Sequence, residues 1–165
     1  REVQPYIDRA NKDNAKIKYV FETHFHADFV SGHLDLAQKE NAIIVYGPTA
    51  KPGFEALVAN DNQIFEVGNC KVKAIHTPGH TLESTTYLVI DENGKEHSLF
   101  TGDTLFPGGP GNTALEGGDF DTIIHSIDTK LFTFPADTIV LPGHGLNTLI
   151  GNERPHLQEW VDRKW

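Results

Sequence analysis

The chain has 165 residues and carries 23 Asp and Glu against 14 Lys and Arg, a net charge of −9. With 38% hydrophobic and 22% charged residues it is not a disordered chain, and its acidic balance argues against non-specific binding to nucleic acid or an anionic membrane. No apolar run approaches the roughly 20 residues of a membrane span, and a single Cys excludes an internal disulfide and a four-thiolate zinc site.

Val3, Tyr6, Ile7 and Ala10 follow helical spacing, so the chain opens in an amphipathic helix. Ile17 to Glu22 reads as a short strand, followed by a polar, His-rich stretch. Ser31 is the expected N-cap of a helix through Leu34, Leu36 and Ala37. Ala42 to Tyr46 is a buried strand by its β-branched content, and Gly47, Pro48 and Pro52 mark a loop. Short strands are expected at Ile64–Val67, Val72–His76, Thr85–Ile90 and His97–Thr101, with a hairpin turn at Asp91-Glu92-Asn93-Gly94. Pro107 to Gly118 reads as a Gly-rich loop. A helix capped by Asp119 then presents Phe120, Ile123, Ile124, Ile127 and Leu131 on one stripe. Thr138–Leu141 is a further strand, and the tail around Leu157, Trp160 and Val161 is helical. Strands and helices interleave, so the class is α/β or α+β, in one domain over residues 1–165. With Arg1 first and no Met, the native start is expected upstream; the lone Cys suits a cytoplasmic setting.

The chemistry sits where strands stop. Thr23-His24-Phe25-His26-Ala27-Asp28, Pro78-Gly79-His80-Thr81, Thr101-Gly102-Asp103-Thr104 and Pro142-Gly143-His144-Gly145 each follow a predicted strand and carry His or Asp at the tip of a turn. Imidazole and carboxylate together suit zinc, iron or manganese. One such turn is weak evidence; four in one small chain point to a metal site.

The ordered set HxHxD, GH, GD and GHG, from Thr23 to Gly145, resembles the metallo-β-lactamase superfamily. The resemblance implies an αββα sandwich with metals between the upper edges of two sheets. It places His24, His26 and His80 at a first metal position, Asp103 as a bridge, and Asp28 and His144 at a second. Two departures stand out. Phe29 follows Asp28 where the hydrolase pattern HxHxDH has His, which weakens the second position and makes a mononuclear site an alternative. The N-terminal β-hairpin region usual in the family is not seen ahead of the first helix, so an exposed sheet edge, and with it homo-oligomer formation, is expected.

Two branches of the family share the motifs. Glu22 to Phe106, with Thr23-His24-Phe25-His26-Ala27-Asp28-Phe29, resembles persulfide dioxygenases, which implies one Fe(II) held by His24, His80 and Asp103, with His26 and His144 tuning it. Pro107 to Trp165, with Leu141-Pro142-Gly143-His144-Gly145 and Ile150-Gly151-Asn152-Glu153-Arg154-Pro155, resembles glyoxalase II-like hydrolases. The dioxygenase branch usually places an Arg near the position of Asn112, which counts against persulfide binding; the hydrolase reading ranks first because the C-terminal half supplies the substrate-side elements and hydrolysis tolerates one metal. It expects one or two Zn ions, a small thioester or ester substrate, and Asp28 as the residue that orients the water and takes its proton. A metal-stabilised scaffold with little turnover, in a recombined or designed chain, is the third reading. Of the other polar residues, His76 is expected to make a structural hydrogen bond or tune the site; His33, His97, His125 and His156 are expected at the surface or in packing. Cys70 is expected to be inert just before a strand, and Tyr87 to be core.

Overall fold

The computed structural model describes residues 2–26 and 31–164. Two sheets carry the fold. The first is parallel, with β1 (Tyr19–Phe21), β2 (Ile43–Tyr46) and β3 (Leu57–Val58) in that spatial order. The second holds β4 (Ile64–Val67), β5 (Cys70–His76), β6 (Thr85–Ile90) and β7 (Glu96–Gly102), continued by the later strands β10 (Ile139–Pro142) and β11 (Thr148–Leu149). Its order is β11-β10-β7-β6-β5-β4, antiparallel except for the parallel β7–β10 pair. Between them in sequence, β8 (Leu105–Phe106) and β9 (Gly109–Pro110) form a separate hairpin.

Period-two burial explains the layering. In β6, Tyr87 and Leu88 face opposite ways and both are buried; Ala74 and Ile75 repeat this in β5, and Ile44 and Val45 in β2. Each sheet is therefore packed on both faces at its centre. Val45, Ala59, Phe65, Ala74 and Tyr87 form the core between the sheets. Ile44, Tyr46 and Ala50 pack toward Ala37 of α2 (His33–Glu40) on the outer side of the first sheet. Leu88, Leu99, Val140 and Ile75 pack on the outer side of the second sheet against Ile123, Ile127, Leu131 and Trp160. Those four come from α3 (Phe120–Ser126), a π-helical turn (Ile127–Leu131) and a terminal helix (Leu157–Arg163). The result is the four-layer αββα arrangement that the motifs implied.

The first helix, α1 (Gln4–Lys12), buries Val3 and Ile7. Beyond it β1 is an edge strand, and Tyr6, Tyr19, Phe21, Val89 and the half-exposed Phe100 line an open apolar groove of about 560 Å³.

Several local expectations change. The N-cap position of α2 is Gly32, not Ser31. The Ser31 hydroxyl is committed to Glu22, donating to Oε1 at 2.8 Å, and meets the His33 N–H only at 3.4 Å. Cys70 begins β5 instead of preceding it, because it pairs with Val67 across the β4–β5 turn. Leu57–Val58 is a strand although two residues give no periodic signal, and the loop 107–118 contains half of the β8–β9 hairpin. The Asp119 cap holds, its carboxylate accepting from the Thr122 N–H at 2.7 Å, which also lowers its pKa. Among the described residues, no helix is long and apolar enough to cross a membrane.

Candidate metal centre

Strand polarity brings the four motifs to one edge. β5, β7 and β10 run the same way, so His80, Asp103 and His144 follow their C-terminal ends on one side of the second sheet. β1 ends beside them, because the Thr23 carbonyl accepts from the Thr85 N–H at 2.9 Å. The Tyr87 hydroxyl donates to the carbonyls of Glu22 (3.0 Å) and Val45 (3.3 Å), locking the two sheets together just below this edge. Burial and the nearby Glu22 carboxylate raise the Tyr87 pKa, so this donor keeps its proton.

One ligand nitrogen from each of His24, His26 and His80 lies within 4.8 Å of the other two. Nδ1 of His26 and Nε2 of His80 are 2.8 Å apart. His80 is 3% exposed, and its Nδ1 meets the Asn112 carbonyl at 2.6 Å. A carbonyl only accepts, so Nδ1 carries the proton and Nε2 turns a lone pair toward His26. Nε2 of His24 is buried without a hydrogen-bond partner, while its Nδ1 sits 2.9 Å from the Thr23 hydroxyl. Burial lowers the His24 pKa; Asp103 opposes that, and the neighbouring His80 and His26 reinforce it. A neutral imidazole with an unspent, buried lone pair is a metal ligand's state. Ligand nitrogens about 2.0–2.1 Å from a zinc ion lie roughly 3–3.5 Å from one another, so the cluster fits a cation that three imidazoles share.

The Asp103 carboxylate lies between two histidines. Its Oδ2 is 3.7 Å from Nε2 of His80 and 3.3 Å from Nε2 of His144. Gly143 makes this approach possible, since a Cβ there would stand 2.3 Å from Asp103 Oδ1. The Phe106 ring packs on His144 with centroids 4.8 Å apart. Asp28, expected as a second-position ligand and as the proton acceptor, lies outside the described residues.

Other residues hold this arrangement. His76 fixes the base of the His80 loop: its Nε2 donates to the Leu82 carbonyl at 2.8 Å and its N–H to Asp61 Oδ1 at 2.7 Å. Burial opposes ionisation of Asp61, yet that N–H and the Lys130 ammonium hold its carboxyl below the usual range. His33 does not stand alone in packing. Its Nδ1 is 3.4 Å from Glu22 Oε1 and its ring lies on Phe54.

Two supports escape a reading of the sequence. Asn112 draws attention there for its side chain, but its backbone carbonyl orients His80, and no side-chain pattern marks a carbonyl. Glu153 is a buried carboxylate that accepts from the Gly108 N–H at 2.8 Å and the Thr148 hydroxyl at 2.5 Å, tying the β8–β9 hairpin to β11. Glu153→Ala is expected to lower stability by about 2–3 kcal/mol, because two buried donors lose a charged acceptor. Glu153→Gln, which keeps one acceptor, should lose about half as much in the same thermal melt.

Residues 1–144 match the family described as the metallo-beta-lactamase superfamily. The probable hydroxyacylglutathione hydrolase glo2 of Schizosaccharomyces pombe is 33% identical over 137 residues, covering 83% of this chain and 52% of its own length. Hydroxyacylglutathione hydrolase GloC of Haemophilus influenzae is 29% identical over 175 residues, covering 93% and 80%. The crystal structure of ETHE1 from Myxococcus xanthus superposes with a TM-score of 0.83 at 28% identity, covering 94% of this chain and 68% of that one. The chain thus spans about half of the fission-yeast relative it matches.

Proposed function

Because the chain belongs to the metallo-β-lactamase superfamily, we propose that it is a metal-dependent hydrolase that cleaves a small thioester or ester, as the relatives' names indicate for them. The observation that carries the reading is the His24, His26, His80 cluster with its orphaned, buried His24 Nε2. On this reading those three imidazoles hold the first ion. Asp103 would contribute to both positions, and Asp28 and His144 would serve a second ion. Zinc is the proposed metal, in one or two ions.

A divalent cation held there polarises the substrate carbonyl and lowers the pKa of water from 15.7 toward about 7. The chain's own residues supply the rest. The Asn112 carbonyl fixes the His80 tautomer so that one nitrogen faces the site. Asp103, between His80 and His144, brings negative charge that offsets the cation. Asp28 is assigned the proton released when water attacks. Collapse of the tetrahedral adduct then breaks the C–S bond, and the departing thiolate takes up the proton assigned to Asp28 as the acid is released.

The likeness to ETHE1 fits the second reading, an Fe(II)-dependent persulfide dioxygenase on His24, His80 and Asp103. Phe29, in place of a second-position His, also favours it. Asn112 does not help it. Its side-chain oxygen accepts from the Ala114 N–H at 2.9 Å, shaping its own loop.

Metal analysis of anaerobically purified protein separates the readings. One or two Zn per chain is expected, with thioester cleavage lost on chelation and restored by Zn. Near one Fe per chain, with O₂ uptake on a persulfide, overturns the hydrolase. Chelation that lowers only the melting temperature points to the scaffold.

A further inference from the structure

His80 and Asp103 follow strands that are not neighbours. β6 lies between β5 and β7, so those two strands stand roughly 9.5 Å apart at the usual spacing. Yet His80 Nε2 and Asp103 Oδ2 are 3.7 Å apart, so the two turns lean toward each other across the end of β6. Each turn is closed on itself. The Thr77 N–H donates to the Ser84 carbonyl at 2.8 Å across the neck of the His80 loop. Around Asp103, the Thr104 N–H donates to the Thr101 carbonyl at 3.1 Å and the Thr101 hydroxyl to the Leu105 carbonyl at 2.9 Å. What remains to be fixed is the position of one turn relative to the other.

Three threonine hydroxyls meet at that place. Thr77 directly follows β5 and leads into Pro78-Gly79-His80; Thr104 directly follows Asp103; Thr86 lies at the start of β6. All three side chains are wholly buried. Thr77 Oγ1 is 3.0 Å from Thr86 Oγ1 and 3.2 Å from Thr104 Oγ1, and the Thr104 hydroxyl also reaches the Thr77 carbonyl at 3.4 Å. The Thr104 carbonyl accepts from the Gly111 N–H at 3.4 Å, next to the Asn112 carbonyl that holds His80 Nδ1. Stability alone does not call for hydroxyls here, because replacing both partners of a buried bond by apolar groups of the same shape is nearly neutral. A hydrogen bond adds direction, which packing lacks. Resting on the metal centre of the hydrolase reading, we propose that Thr77, Thr86 and Thr104 are positioning residues. Their hydroxyl bonds tie the His80 turn to the Asp103 turn over β6 and keep both ligands at the separation that one cation requires. Without the bonds each turn keeps its own fold, but the gap between the ligands is no longer set. Loss of a group that orients a ligand weakens metal binding about 10–100-fold.

Two double variants separate positioning from packing. Thr77→Val/Thr86→Val removes both partners of the central bond at nearly constant volume, while the Thr104 hydroxyl retains the Thr77 carbonyl. Its metal-free form is expected to melt within about 2 °C of the parent. Its zinc affinity, measured by competition with a chromophoric chelator, should be at least about tenfold weaker, and the ligand-field spectrum of its Co(II) form should change. Thr77→Ser/Thr86→Ser keeps the hydroxyls and loses two buried methyl groups. It is expected to melt about 5 °C lower and to bind zinc within about threefold of the parent. Parental affinity with an unchanged spectrum in the Val variant overturns the proposal, and so does a Ser variant that loses zinc as the Val variant does. A Val variant whose loss of zinc is matched by a comparable loss of metal-free stability assigns the hydroxyls to folding and also overturns it. Thioester cleavage by the parent is followed separately. Its absence removes the hydrolase and leaves the metal-binding comparison standing, whereas a parent that binds neither zinc nor cobalt removes both.

Discussion

Replacing His80 with Ala is expected to strip the protein of its metal and to lower hydrolysis at least about 10³-fold. Three features set the size of the effect. His80 is the most buried of the three clustered imidazoles, and its Nε2 faces both His26 Nδ1 and Asp103 Oδ2, at 2.8 and 3.7 Å. It thus lies against both the His cluster and the carboxylate. Losing a group that merely orients a ligand costs about 10–100-fold, so losing the ligand itself costs more. The truncation also leaves the Asn112 carbonyl and His26 Nδ1 without partners in a buried space. Metal per chain and kcat/KM are measured together on His80→Ala and the parent. Full metal content with near-parental turnover in the variant would remove His80 from the centre and, with it, the proposed ligand set.

Most of the architecture follows from local patterns. Two-sided burial in β5 and β6, the stripe from Ile123 to Leu131 and the Asp119 cap all have short-range causes, and they stand where periodicity puts them. The stripe holds because Ile123, Ile127 and Leu131 recur every four residues, and the π-helical turn keeps them on one face after Ser126. The convergence of the motifs on one edge is legible because each follows a strand. What escapes is decided by distant partners. β3 exists because Leu57 and Val58 meet Val45 and Tyr46. Ser31 leaves its capping role because Glu22, nine residues earlier, competes for its hydroxyl. His33 gains a neighbour the sequence could not place, the same Glu22 carboxylate. Asn112 acts through a backbone atom, which composition and spacing do not describe.

The approach of α3 to the His80 loop sets the largest expected loss of stability. Ser126 Oγ donates to the Pro78 carbonyl at 2.7 Å, and the Asp119 N–H donates to the Gly79 carbonyl at 2.8 Å, so the loop is held at both ends of the helix. Gly79 has φ +134°, and a Cβ there would stand 2.3 Å from the Ile123 backbone nitrogen. Gly79→Ala therefore combines two costs. The backbone conformation is one that L-residues avoid, at about 1–3 kcal/mol, and the overlap with helix backbone adds about 1–3 kcal/mol because no side chain can swing aside. Together, about 2–6 kcal/mol is a large share of a domain's typical stability of about 5–15 kcal/mol. The melting midpoint should fall by about 10 °C or more at this chain length. Gly94→Ala is the internal comparison: Gly94 has φ +82°, but a Cβ there would meet nothing within 4 Å, so only the conformational cost applies and about 1–2 kcal/mol is expected. Because Gly79 immediately precedes His80, the variant should also bind less metal per chain, whereas Gly94→Ala, in the Asp91–Lys95 turn, should bind as the parent does. Equal melting temperatures for the two variants would show that the loop can move off α3, and the tight seat assigned to His80 would then have to be abandoned.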